Sequence, residues 1–513
     1  MTGLRRHAIA PKPLPRRFHQ ARWDEPIIFE LSVPGARGVL IPELEDGIAA
    51  AVGDPAAELP EDVRRATPPA LPEMAQVNVL RHYVRLSQET LGVDVNVDIG
   101  QGTCTMKYSP KVNEIFARDP RMADAHPLQP ESTVQGALAI TWSLEQLLCE
   151  ISGMDRVTLQ PGAGSAAIWT NVSMIRAWHA SRGEAEQRDE VITTAFSHPS
   201  NAACARTAGY RIITLQPDPV TGRPTLEALR AAVSERTAAL LITNPEDTGI
   251  YNDEIDEFVR IVHEAGGLAC YDQANANGIL GITRAHEAGF DLCHFNLHKT
   301  FSTPHACGGP GAGACGVAEK LEPFLPRPTV EKDGERYWLD HDRPQSIGKV
   351  RPWYGVAPNL VRAYAWIMSL GAGGLREVAE IAVLSNNYVL SELLKIRGLD
   401  APYAEGKQRV EQVRYSWAEL AEETDVHYDH IGMRLNDHGA HFWSSHHPFV
   451  VPEPMTIEPT ESYSREDLDQ HIAMLRAVAE EAYTDPETVR TAPHRSTIHQ
   501  VDHSWLDDPE RWA

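Results

Sequence analysis

From about residue 132 the chain alternates short apolar runs with amphipathic stretches. Val134, Ala137, Leu138, Leu144, Leu147, Leu148 and Ile151 recur at helical spacing behind Ser132 and Gln135, which read as a capping-box pair, and Gly153 follows as a stop. Five apolar runs predict strands: Val157–Leu159, Val191–Thr194, Ile212–Leu215, Ala238–Ile242 and Leu268–Tyr271. Between the last two, Glu254–Ala265 predicts a helix with Ile255, Phe258, Val259, Ile261 and Val262 turned inward, ending at Gly266-Gly267. Strand–helix alternation of this kind predicts an α/β fold with a mostly parallel sheet covered on both faces. Ligands of such sheets bind beyond the carboxyl ends of the strands.

The pattern changes at both ends of this region. After about residue 345 come a helix near Val361–Leu370, another near Leu375–Leu394, a strand-like piece at His447–Val451 and a final helix near Arg465–Tyr483. This predicts a smaller C-terminal α+β domain with a polar tail from about residue 490. At the other end, residues 41–75 hold eight acidic residues, two basic ones and several prolines, a composition that favours an extended arm over a packed core. The expected division is an N-terminal arm over 1–95, a large domain over 96–345 and a small domain with its tail over 346–513.

Composition narrows the function. With 42% hydrophobic and 23% charged residues in 513, the chain is globular rather than disordered. Its 47 basic and 71 acidic residues leave a net charge of −24, which argues against nucleic acid as a partner while leaving room for a local phosphate pocket. No uninterrupted apolar run approaches the roughly 18 residues of a membrane helix. The seven cysteines (Cys104, Cys149, Cys204, Cys270, Cys293, Cys307 and Cys315) form no CxxC pair and read as reduced thiols in a cytoplasmic protein. Cys307 reads as a small buried residue. The basic segment before residue 23 has no apolar core and reads as an arm rather than a secretory signal. Asp425, His427, His430, His438, His441, His446 and His447 crowd one region, read as solvated or interface surface rather than a metal site.

Candidate chemistry sits where the runs end. The first leads into Gln160-Pro161-Gly162-Ala163-Gly164-Ser165 and then a helix, whose free N–H groups can cradle an anion. The second ends at Ser197-His198, the fourth at Thr243-Asn244-Pro245, and the fifth at Tyr271-Asp272-Gln273. Lys299 lies between an apolar strand and a glycine-rich loop, in the polar turn that holds His294 and His298. Ser165, His198, Asn244, Asp272 and Lys299 are thus spaced 33, 46, 28 and 27 residues apart. That order matches the layout of fold-type I pyridoxal-phosphate (PLP) enzymes. In these the lysine carries the cofactor as a Schiff base and the aspartate keeps the pyridine nitrogen protonated.

The segments NLHKTFSTPH, GGPGAG, EKDGERYWLDHDRP, GTCTMKY, TVQGAL and IEPTES make the resemblance more specific. From about residue 26 to 500 the chain resembles subunit 2 of the two-subunit glycine dehydrogenase (decarboxylating), the P-protein of the glycine cleavage system. The resemblance implies an aspartate aminotransferase-like large domain and PLP as cofactor. It also implies decarboxylation of glycine with transfer of the aminomethyl group to a lipoyl carrier, the H-protein. By resemblance Lys299 is the Schiff-base lysine, Asp272 the pyridinium partner and His198 the ring-facing histidine. Asn244, Gly164, Ser165, Ala166 and His298 complete the expected cofactor contacts, and no metal is expected. A subunit-1-like chain and a homo- or hetero-oligomer are implied as partners, without nucleic acid or membrane. The cradle departs from the family's usual AAGAHGE-like pattern, reading Gly162-Ala163-Gly164-Ser165-Ala166-Ala167-Ile168, so two other readings stand beside glycine. One is a paralogue of specialised metabolism acting on a glycine-like amino acid; the other is a non-catalytic subunit of the same fold.

Overall fold

The computed structural model describes residues 25–97, 99, 107–126, 128–305, 311–351, 355–444, 450–495, 500, 508 and 510. The expectations on the basic N-terminal segment, Cys104, Cys307, His446, His447 and most of the C-terminal tail fall outside these. Among the described residues the chain divides into two compact units, one spanning Gly92–Ala492, the other made of residues 25–91 together with those from Pro493.

In the larger unit each expected apolar run is a strand: β1 Arg156–Thr158, β2 Glu190–Thr194, β3 Arg211–Leu215, β4 Thr237–Thr243 and β5 Leu268–Gln273. Two more follow, β6 Leu292–Asn296 and β7 Gly313–Val317. They form one sheet in the order β1-β7-β6-β5-β4-β2-β3. Neighbours from β3 to β6 run parallel, and β7 is antiparallel to both β6 and β1. β4, β5 and β6 are buried along almost their whole length, as a sheet covered on both faces requires. β7 was not foreseen because its GACGV is built from small residues. The structure explains the choice: a Cβ on Gly316 would stand 2.9 Å from Cys293 Sγ on the neighbouring strand.

Helices cover both faces. Ile255–Glu264 buries the five apolar residues its periodicity predicts, each contributing about 1.5–3 kcal/mol of transfer free energy. The helix Gln135–Ser152 starts differently from expectation. A 3-10 turn occupies Glu131–Thr133, so Ser132 caps nothing, and the Gln135 amide instead donates to the carbonyls of Glu131 and Tyr337. That second bond ties the helix to a hairpin, β8 Thr329–Asp333 with β9 Arg336–Asp340. Gly153, at φ 74°, ends the helix as expected.

The two helices expected near 361–394 are present within one continuous element, Ala357–Leu393, separated by a kink at Gly371, where φ is 65° and the backbone leaves the helical region. Leu360, Trp366, Ile367 and Val378 pack into the core under the sheet. Val389, Leu390 and Leu393 enter a second core with β10 Val413–Ser416, β11 Pro454–Ile457 and the helix Arg465–Thr484. The element therefore spans both cores of the unit.

In the smaller unit, the acidic segment forms a short helix, Asp46–Val52, with no buried residue, and a turn at Glu61–Val63. Helix Gln76–Ser87 follows, where His82 Nδ1 and Arg85 both lie 2.8 Å from the carboxylate of Glu25.

Candidate active site

The carboxyl ends of the parallel strands open into one cavity, lined among others by Ala163, Gly164, Ser165, His198, Asp272 and Lys299. The first three begin the 18-residue helix Gly164–Ser181, whose N-cap Ala163 makes no side-chain capping bond. Its first-turn N–H groups therefore remain available to an anion, reinforced by the helix dipole. Glycine at 164 lets the Asn296 amide lie close, since a Cβ there would meet it at 2.7 Å.

Asp272 ends β5 opposite His294 of β6 in the parallel register. Its Oδ1 lies 3.2 Å from His294 Nε2 and accepts the Ala274 N–H at 3.0 Å, while Oδ2 accepts the Asn201 amide at 2.8 Å. Burial favours the neutral acid, yet His294, the Ala274 N–H and Asn201 together hold the carboxyl below its ordinary range. Burial lowers the pKa of His294, while the Asp272 charge opposes that shift.

His198 caps the helix Pro199–Thr207. Its Nδ1 accepts the Ser200 N–H at 3.1 Å and lies 2.7 Å from Ser200 Oγ, which leaves the proton of the neutral ring on Nε2. Lys299, buried, stands in the turn after β6, where its N–H donates to the Asn296 carbonyl at 3.0 Å. Ser302, with φ 57°, closes that turn in the left-handed region, a strained conformation for serine. His298 lines the same wall; its Nδ1 lies 3.2 Å from the Ala312 nitrogen, and burial brings its pKa down to about 3.

Two expected residues stand apart from the cavity lining. Asn244 turns away and clasps Asn252, donating to its carbonyl at 3.0 Å and accepting its N–H at 2.8 Å; the next residue, Pro245, forms the wall instead. Ala166 lies in the first turn of its helix, and Ile168 packs into the core behind it. Neither the Ala166 nor the Ile168 side chain is part of the cavity wall. Sequence reasoning gave no role to Asn201, His294, Asp247, Glu411 or Gln412. His294 was findable as the residue one strand over from Asp272. Glu411 arrives from the second core and carries no local signal.

In the histidine-rich region, His427 Nδ1 lies 2.9 Å from Glu453, and its own N–H donates to His430 at the start of the helix Tyr428–Asn436. Glu453 raises the pKa of His427.

The sheet order and the lysine turn define an aminotransferase-like α/β enzyme fold. Residues 142–302 match the DegT/DnrJ/EryC1/StrS aminotransferase family. A solved glycine decarboxylase (P-protein) of the glycine cleavage system superposes with a TM-score of 0.71 at 19% identity, over 86% of this chain and 100% of that one. A sphingosine-1-phosphate lyase of Burkholderia pseudomallei superposes at 0.57 with 16% identity, over 85% and 96%. Sequence is more specific. Residues 378–503 match the glycine dehydrogenase C-terminal domain. Probable glycine dehydrogenase (decarboxylating) subunit 2 of Pyrococcus abyssi is 47% identical over 94% of this chain and 95% of its own, and that of Halalkalibacterium halodurans is 44% identical over 93% and 96%. The chain belongs to the glycine dehydrogenase (decarboxylating) subunit 2 family.

Proposed function

We propose that this chain is the PLP-carrying subunit of an enzyme that decarboxylates glycine and passes the aminomethyl group to a lipoyl carrier protein, working with a subunit-1-like chain. The observation that carries the reading is that one cavity joins an uncapped helix N-terminus, a buried carboxylate held in its ionised form and a buried lysine. These three features suit the phosphate, the ring nitrogen and the aldehyde of PLP respectively. The cofactor, when bound, supplies an electron-poor ring that takes up the electron pair freed as CO2 leaves.

The chain's own groups do the rest. The N–H groups that open helix Gly164–Ser181 bind the phosphate, and Lys299 supplies the amine that holds the cofactor. Asp272 keeps a proton on the ring nitrogen, and Asn201, His294 and the Ala274 N–H keep Asp272 ionised and aimed. His198, its orientation fixed by Ser200, presents its ring to the cofactor. Phe196 and Pro245 supply apolar wall that excludes water from the reacting carbon.

The test is reconstitution with PLP followed by borohydride reduction and peptide mapping. The label is expected on Lys299; a label on another lysine, or none, overturns the assignment. Exchange of labelled bicarbonate into the glycine carboxyl, in the presence of the partner chain and a lipoyl carrier, then tests the reaction. An assembled complex that ignores glycine but decarboxylates a substituted relative would replace glycine as substrate.

A further inference from the structure

The cavity contains a carboxyl that none of these steps uses. Glu411 lines it and is 1% exposed. It lies two residues before β10, and Glu458 lies one residue after β11. Val413 pairs with Ile457, so the two carboxyls issue from adjacent strand ends. Glu458, also wholly buried, accepts the side-chain amides of Asn275 and Asn277 on Oε1, the latter at 2.8 Å. Glu411 Oε2 has no hydrogen-bond partner. Gly278 makes space for it, since a Cβ there would stand 2.6 Å from that oxygen.

Two buried carboxyls so placed do not both ionise. The two amides stabilise charge on Glu458, which leaves the proton on Glu411. Burial and Glu458 accordingly push the Glu411 pKa well up, against the opposing pull of its own N–H, the Gly278 N–H and Lys299. The cavity's other carboxyls have partners of their own, Asp272 in His294 and Asn201, and Asp247 in Arg414.

The proposed reaction consumes one proton. When CO2 leaves, the electron pair of the broken C–C bond forms a C–S bond to one sulfur of a cyclic disulfide. The S–S bond breaks, and its pair stays on the other sulfur, which must be protonated to end as a thiol. We propose that Glu411 is the acid that delivers this proton, a catalytic role that rests on reading the site as aminomethyl-transferring. Glu411 is left as a carboxylate and regains its proton from solvent when the product departs.

Glu411→Gln keeps the shape and removes the acid. In the PLP-loaded complex with its partner chain and lipoyl carrier, bicarbonate–glycine exchange should fall about 100-fold in kcat. Cofactor content and the KM for glycine should not change. The wild-type rate should fall as rising pH ionises the acid, and the variant should lack that limb. The titratable groups lining the cavity with Glu411 are His198, Asp247, Asp272, His294, His298, Lys299 and His305, and Glu458 acts on it from outside that lining. None is altered by the substitution, so a limb that persists in the variant belongs to one of them and overturns the proposal. A readout independent of turnover is the wild-type-minus-variant infrared difference spectrum at neutral pH, which should show a buried carboxylic-acid carbonyl band lost with Glu411, the bands of the other buried acids Glu145 and Glu246 cancelling; a difference spectrum without that band also overturns it. Glu411→Asp, which keeps an acid, should recover part of the rate, and an aspartate variant no faster than the glutamine one counts against an acid role. Wild type that performs no exchange refutes the aminomethyl-transfer reading itself, whereas equal rates in wild type and Glu411→Gln refute only the proton donor.

Discussion

Asp272 shows how much the chemistry depends on the partners of a single group. Replacing it with asparagine keeps the volume and a hydrogen-bonding edge but removes the charge that holds a proton on the ring nitrogen. Asp272→Asn is therefore expected to bind PLP and lose at least about 100-fold in turnover, checked by cofactor titration beside bicarbonate exchange. Unchanged turnover would assign that role to another group. His298 makes a prediction about stability. Folded, it takes up a proton only near pH 3; unfolded, it does so at its ordinary value of about 6.5. Below that value the unfolded state binds more protons, so the stability this residue contributes is lost as the pH falls from about 6.5 toward 3. Wild type should lose about 3 kcal/mol more than His298→Asn between pH 7 and pH 4 in urea unfolding. Parallel losses in the two proteins would show that His298 is not the source.

Elements were legible in the sequence where one periodicity ruled. The apolar runs of β1–β5 and the inward stripe of Ile255–Glu264 could be read directly, because burial on two faces or on one leaves a plain pattern. The cluster of Lys299, Asp272 and His198 was legible through its order along the chain and the family resemblance. What could not be read comes from packing between distant segments. β7 uses small residues because Cys293 and Met154 crowd it, and Gln135 prefers the hairpin to the expected cap. Glu411 reaches the cavity through the pairing of β10 with β11. Gly249 marks another such approach. Its φ is 74°, and a Cβ would fall 1.7 Å from the Gln412 carbonyl oxygen. Gly249→Ala should therefore cost about 2 kcal/mol or more and lower the thermal midpoint. A variant as stable as wild type would mean that the segment holding Glu411 and Gln412 can move aside freely.

At the scale of the whole molecule, 71 acidic residues against 47 basic ones leave a net charge of −24. Ile115 and Phe116 of the helix Lys111–Ala117 are exposed apolar groups on this acidic surface. The isolated chain is expected to scatter light as more than one copy, and its bicarbonate exchange to require the subunit-1-like chain. A monomer exchanging at full rate would overturn both expectations. The register of β5 and β6 bears on how such an enzyme would fail. Asp272 and His294 share one rung of the ladder, and neighbouring strands cannot slide by a fraction of a residue without giving up the hydrogen bonds along their whole length. Molecules in a partly heated sample should thus be either intact or dead. Residual activity would then fall in proportion to the surviving sheet, with the KM for glycine unchanged, so ageing thins the population instead of blunting each member.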